Sequence, residues 1–152
     1  MAYDQIFSAG IRAGTERRPL SLVQYWGPVL VYMGLIFWGS SLSSPPESIA
    51  SLLQKLSDKV LHFLEYSVLG VLIYRACRHA SGEWLSQHAL LAASAGAALY
   101  GLSDETHQLF VPFREADVLD LVADTVGGTV GAWGWSFLER HHRSNAVARS
   151  DS

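Results

Sequence analysis

The stretch LYGLSDETHQLFVPFREADVLDLVADTVGGTVG, residues 99–131, sets charged side chains inside a sequence otherwise apolar enough for a bilayer. An ionisable group at the centre of a membrane helix costs about 2.5–3.5 kcal/mol on insertion scales, so such groups face protein or a wet cavity and usually mark function. Asp117, Asp120, Asp124, Gly127 or Gly128, and Gly131 recur at intervals of three and four, which puts them on one stripe of a helix. The acids in that stripe would face lipid if the stripe did not face protein. Gly127 and Gly131 form a GxxxG pattern that lets a second helix approach closely. The expected partner is the preceding apolar run, whose Ala93, Ala97 and Gly101 make a similar small-residue face.

Composition sets the same frame. Of 152 residues, 49% are hydrophobic and 16% charged, against about 25% charged in an ordinary soluble domain. A formal net charge of -3 gives no broad basic field for nucleic acid. The single cysteine, Cys77, has no partner for a disulfide or a cysteine-based metal motif.

Working outward, the chain divides into a polar N-terminal segment (1–20), an apolar domain (21–139) and a polar tail (140–152) expected to be disordered. The apolar domain reads as an all-α, polytopic membrane bundle of about four transmembrane helices, near 21–42, 59–77, 88–103 and 118–138. The first run, LSLVQYWGPVLVYMGLIFWGSSL, could also be a signal peptide. It exceeds the usual h-region of roughly 7–15 residues and carries Trp26 and Trp38 near its ends, so it is read as a span. Pro45 and Pro46 mark a loop after it. Basic residues Arg12, Arg17, Arg18, Arg75, Arg78, Arg140, Arg143 and Arg149 fall in alternate connections and the termini. The positive-inside rule makes those segments cytoplasmic and turns the first and third loops outward.

That orientation gathers the unusual charges on one side. Asp58, His62, Glu65 and Tyr66 share a face of the second helix, with Lys59 at the water boundary. Asp104, His107 and Gln108 lie a turn apart if the third helix continues, whereas Glu105 falls on another face. Pro112 stops that helix, and Arg114 follows in a short reversal. A purely structural account pairs Arg114 with Asp104 or Asp117, uses Asp120 and Asp124 for capping or pairing, and has His62 satisfy a buried carboxylate. It leaves carboxylates in excess of Lys59 and Arg114, and these must be exposed, protonated, or bound to a cation or ligand. His62 with Glu65, and Asp104 with His107, supply nitrogen and oxygen donors for a divalent metal or for acid–base catalysis, although no HEXXH motif is present. Ser103 and Thr125 lack the setting of an activated nucleophile. The histidines at 79, 88, 141 and 142 read as solvated, and the tryptophans as interfacial anchors or packing.

With DKVLHFLEYSVLG at 58–70 and the stretch at 99–131, the chain resembles the VanZ-like family of membrane proteins. The likeness covers the second to fourth spans; the first agrees only in character. Its motifs fall on Asp58, Lys59, His62, Tyr66, Asp104, Glu105, Gln108, Arg114, Asp120, Gly127 and Gly131. Two positions depart from it: Asp124 stands where Asn is frequent, and Phe113 where a Gly often precedes the Arg. The namesake is associated with teicoplanin resistance. The resemblance therefore implies an envelope protein that meets membrane lipid and a glycopeptide or lipid-linked wall precursor. Binding at the outer boundary through Asp58, Lys59, His62, Glu65, Tyr66, Asp104, Glu105, Gln108, Arg114, Asp117, Asp120 and Asp124 is the leading expectation. A membrane hydrolase or transferase using His62, Glu65, Asp104 and His107 is the second, and a cation- or proton-coupled transporter the third.

Overall fold

A computed structural model describes residues 19–42 and 51–150. The N-terminal segment with its arginines and the loop containing Pro45 and Pro46 lie outside the described residues. The described chain is all-α: α1 (Pro19–Ser40), α2 (Ser51–Ala80), the short α3 (Glu83–Gln87), α4 (Ala89–Gln108) and α5 (Val118–Ser150). The long helices alternate in direction, so the end of α1, the start of α2, the end of α4 and the start of α5 meet at one side. At the other side α3 makes the reversal, where Arg78 Nη1 donates to Ser86 Oγ at 3.1 Å and Ser86 Oγ donates to the Arg78 carbonyl at 2.9 Å.

Two helices are long and apolar enough to cross a membrane by length and composition, Leu20–Ser40 and Asp58–Ala80. The outward faces of α4 and α5 are apolar as well, with Leu91, Leu99, Leu102, Val122, Val126, Val130 and Phe137 exposed. Their buried faces carry alanine, glycine and the acids Asp104, Glu105 and Asp124, and an average over residues does not register the difference between the two faces.

The centre of the bundle is the α2 and α5 interface, the most extensive of the molecule. A Cβ added to Gly131 would strike the Ser67 carbonyl, one added to Gly127 the Phe63 carbonyl, and one added to Gly70 the Gly128 carbonyl. The GxxxG pair thus docks on α2. Gly128, against Ala97, and Gly101, against Asp124, join α4 to α5 in the manner the small-residue faces suggested. The reason lies on α2, where Gly70 leaves its backbone bare enough for α5 to settle on it. Tyr66, Leu69, Ala76, Ala93, Ala97 and Ala132 fill the remaining space.

α1 is the peripheral helix, burying Val29 and Ile36 while Leu30, Val31 and Leu35 stay exposed. Two tyrosines fasten it: Tyr100 Oη donates to the Met33 carbonyl at 2.5 Å, and Tyr32 Oη to the Glu65 carbonyl at 3.2 Å. The tail differs from the expectation of disorder. α5 runs on to Ser150, because nothing after Gly134 breaks a helix, and Arg143 pairs with Glu139 one turn earlier.

Candidate functional site

Three local devices position the charged residues. The chain leaves α4 by turns in which Phe110 N–H donates to the His107 carbonyl at 2.9 Å and Arg114 N–H to the Val111 carbonyl at 3.2 Å. Pro112 sits inside this reversal, as its effect on the preceding residue requires. Asp117 then caps α5, its Oδ1 accepting the Leu119 N–H at 2.8 Å. Finally, Lys59 Nζ reaches across from α2 to Asp117 Oδ2 at 2.6 Å and Asp120 Oδ1 at 2.8 Å. Lys59, Asp117 and Asp120 form a clasp between the starts of α2 and α5.

Deeper on α2, His62 Nδ1 lies 3.0 Å from Asp124 Oδ1. A carboxylate can only accept, so in this contact Nδ1 carries the proton. Asp124 is 0% exposed and its Oδ2 has no hydrogen-bond partner. Tyr66, one turn below His62, is also fully buried, and its hydroxyl is unpartnered too.

Asp104 and Glu105 both turn inward. Ser40 Oγ donates to Asp104 Oδ1 at 2.6 Å, and Gln108 Nε2 to Oδ2 at 3.1 Å. Glu105 does not occupy a separate outer face: it is buried, with Oε2 accepting the Asp117 N–H at 2.7 Å and Oε1 unpartnered. The bundle surrounds the end of α4 with α1 on one flank and α5 on the other, so adjacent positions on that helix are both enclosed. Burial pushes the Glu105 carboxyl above its usual range, while the Asp117 N–H holds it partly down. Among the described residues, no lysine or arginine pairs with Asp104, Glu105 or Asp124. Donor atoms of His62, Asp104 and Glu105 lie within 4.8 Å of one another, close enough to hold a metal ion.

A cavity of about 150 Å³ opens beside these groups, lined by Ile36, Gly39, Ser40, Asp58, Leu61, His62, Glu65, Asp104, Gln108 and Arg114. Its volume matches cavities that admit a single benzene-sized ring. Arg114 Nε donates to the Leu42 carbonyl at 3.3 Å, pairing with neither Asp104 nor Asp117. The residues quoted from sequence therefore fall into three places. Asp58, His62, Glu65, Asp104, Gln108 and Arg114 line the cavity; Glu105, Asp124 and Tyr66 are buried around it; Lys59, Asp117 and Asp120 form the clasp.

His107 stands apart, its ring 4.3 Å from that of Phe37 and its Nε2 3.0 Å from Ser41 Oγ. Ser103 is exposed, and the Thr125 hydroxyl is spent on the Leu121 carbonyl. Neither has the partner an activated nucleophile needs. Ser40 was not among the residues read from sequence. The available signal was a serine ending an apolar span, but its tie to Asp104 crosses 64 positions and depends on how α1 docks.

Residues 25–139 match the family described as VanZ/LLP1. The chain belongs to the VanZ/LLP1 family. The match begins inside α1 and ends inside α5, so the first span belongs to the family's domain as well. Comparison with curated proteins and with solved structures gives no match. The VanZ-like departure at Phe113 also gains a cause: this residue has a φ of 64°, in the left-handed region where a Cβ costs about 1–2 kcal/mol and glycine costs nothing. The turn that aims Arg114 is built on a conformation suited to glycine.

Proposed function

We propose that this chain is a four-span protein of the bacterial inner membrane, with both termini cytoplasmic. It binds the polar head of an envelope ligand, a glycopeptide or a lipid-linked wall precursor, at the outer membrane-water boundary. The observation that carries this reading is the cavity where Asp58, Glu65 and Asp104 face Arg114 across a space of about 150 Å³. The acids hold a cation or a cationic group and Arg114 meets an anion, so the preferred ligand carries both. The volume excludes a whole glycopeptide. Only a headgroup or one substituent enters, and the remainder lies along the membrane surface.

The span count is supported by the apolar outer faces of α4 and α5, and the orientation by the arginines at the opposite end. There Arg75 lies over the rings of Tyr25 and Trp135, 5.7 and 5.2 Å from their centroids, as an interfacial cation would.

Native mass spectrometry of the protein in nanodiscs tests the reading, with teicoplanin and a lipid-linked wall precursor added in turn. Retention of at least one of them by the parent chain, weakened about tenfold or more in Glu65→Gln and in Arg114→Ala, is the expected result. Retention that neither variant alters, or no retention of either compound, overturns the proposal.

A further inference from the structure

We infer that His62, Asp104 and Glu105 form a binding site for a divalent transition-metal ion at the inner wall of the cavity. This deepens the pocket reading and rests on it, since the ion is the cation that the excess carboxylates hold. Three observations carry it together.

The donors converge from separate elements. His62 comes from α2 and the two carboxylates from the end of α4, yet their donor atoms lie within 4.8 Å of one another. Ligands around an ion at bond lengths of about 2.0–2.2 Å stand some 3–4 Å apart, so closing the set asks for side-chain movements of about 1 Å.

Each donor also has an outer partner that fixes it. His62 Nδ1 donates to Asp124 Oδ1, the carboxylate, histidine and metal relay that sets the tautomer and raises the basicity of the remaining nitrogen. Asp104 is held by Ser40 and Gln108, and Glu105 by the backbone N–H of Asp117. Contacts of this kind are what an ion requires of its second shell.

Finally, buried oxygen is left over. Glu105 is 5% exposed and its Oε1 has no partner, and neither does Asp124 Oδ2. A buried carboxylate oxygen without a donor carries a large desolvation cost. An ion bound to Glu105 removes it. One imidazole nitrogen with two carboxylates suits zinc, manganese, iron or cobalt better than calcium, which takes oxygen alone. The acids Asp58 and Glu65 and the cation Arg114 face the same space, leaving the outer side of the ion open to an anionic group of the ligand.

Cobalt(II) added to the EDTA-stripped full chain in detergent provides the test, read by calorimetry and by visible absorption. One equivalent is expected to bind, with affinity falling about tenfold or more in His62→Gln and Glu105→Gln. Glu83→Gln, on α3 at the far end of the bundle and outside both the pocket and the metal set, should stay within about threefold of the parent. Because a loss could arise from misfolding, His62→Cys is included for a gain: a sulfur-to-cobalt charge-transfer band in the near ultraviolet. Absence of stoichiometric binding, equal losses in Glu83→Gln and Glu105→Gln, or no new band with His62→Cys overturns the metal site. The pocket reading fails separately, on ligand retention indifferent to Glu65→Gln and Arg114→Ala.

Discussion

Replacing Gly131 by alanine isolates the contact on which the bundle depends. A Cβ at this position would lie 2.7 Å from the Ser67 carbonyl carbon and 2.9 Å from its Cα, and closer still to the oxygen. Real Cβ atoms essentially never approach below 3.0 Å, and every atom in the way is backbone, which cannot rotate aside. α2 and α5 must separate locally by roughly 1 Å, and overpacking of this kind costs about 1–3 kcal/mol. Against it stands the better helix propensity of alanine, worth up to about 1 kcal/mol. The net effect is a loss of roughly 1–2 kcal/mol. Gly134, three residues along the same helix, is the internal control, because a Cβ there meets nothing within 4 Å. Gly134→Ala should be neutral or slightly stabilising. The assay is reversible unfolding of the detergent-solubilised protein in an SDS titration, with both variants beside the parent. Equal stability of Gly131→Ala and Gly134→Ala would refute the claim that backbone contact at Ser67 holds α5 on α2.

Phe113→Gly should stabilise the protein. It relieves a left-handed strain of about 1–2 kcal/mol against an unfolded-chain entropy of about 0.5–1 kcal/mol, leaving a gain of roughly 0.5–1 kcal/mol. Phe113→Ala, which keeps the strain, should show no gain, and thermal melts that rank the two variants the other way would contradict the turn geometry. At Asp124, Asn keeps an acceptor for His62 Nδ1–H and removes a buried charge, so Asp124→Asn should hold stability within about 1 kcal/mol of the parent. Asp124→Ala strands the imidazole and should cost about 1–3 kcal/mol; chemical denaturation showing equal losses would mean that the hydrogen bond is not what matters. For topology, single cysteines are placed in a Cys77→Ala background. An impermeant maleimide should label Ala116→Cys on intact spheroplasts but Gly82→Cys only after lysis, and the reverse pattern would invert the assigned orientation.

Much of the site was legible because spacing on a helix is a local property. Asp58, His62, Glu65 and Tyr66 share a face by arithmetic, and Pro112 ends its helix by steric rule. The glycine stripe was legible as a contact but not as a contact with α2. Two helices offered small residues, and choosing between them needed the depth at which Gly70 meets Gly128. Glu105 was assigned to another face because periodicity describes one helix and not how many neighbours surround it. At the end of α4 two flanks are covered, so residues about 100° apart are both enclosed.

By itself the sequence determined an all-helical chain, the order of its apolar segments and the membership of its charges in two blocks, because periodicity, proline and hydropathy act within a few residues. Only the tertiary structure decided which charges share a space. It gave Asp117 and Asp120 to Lys59, sent His107 to Phe37, and drew His62, Asp104 and Glu105 together. Such choices rest on differences of an ångström in helix approach, and those are set by glycines meeting backbone on a different helix.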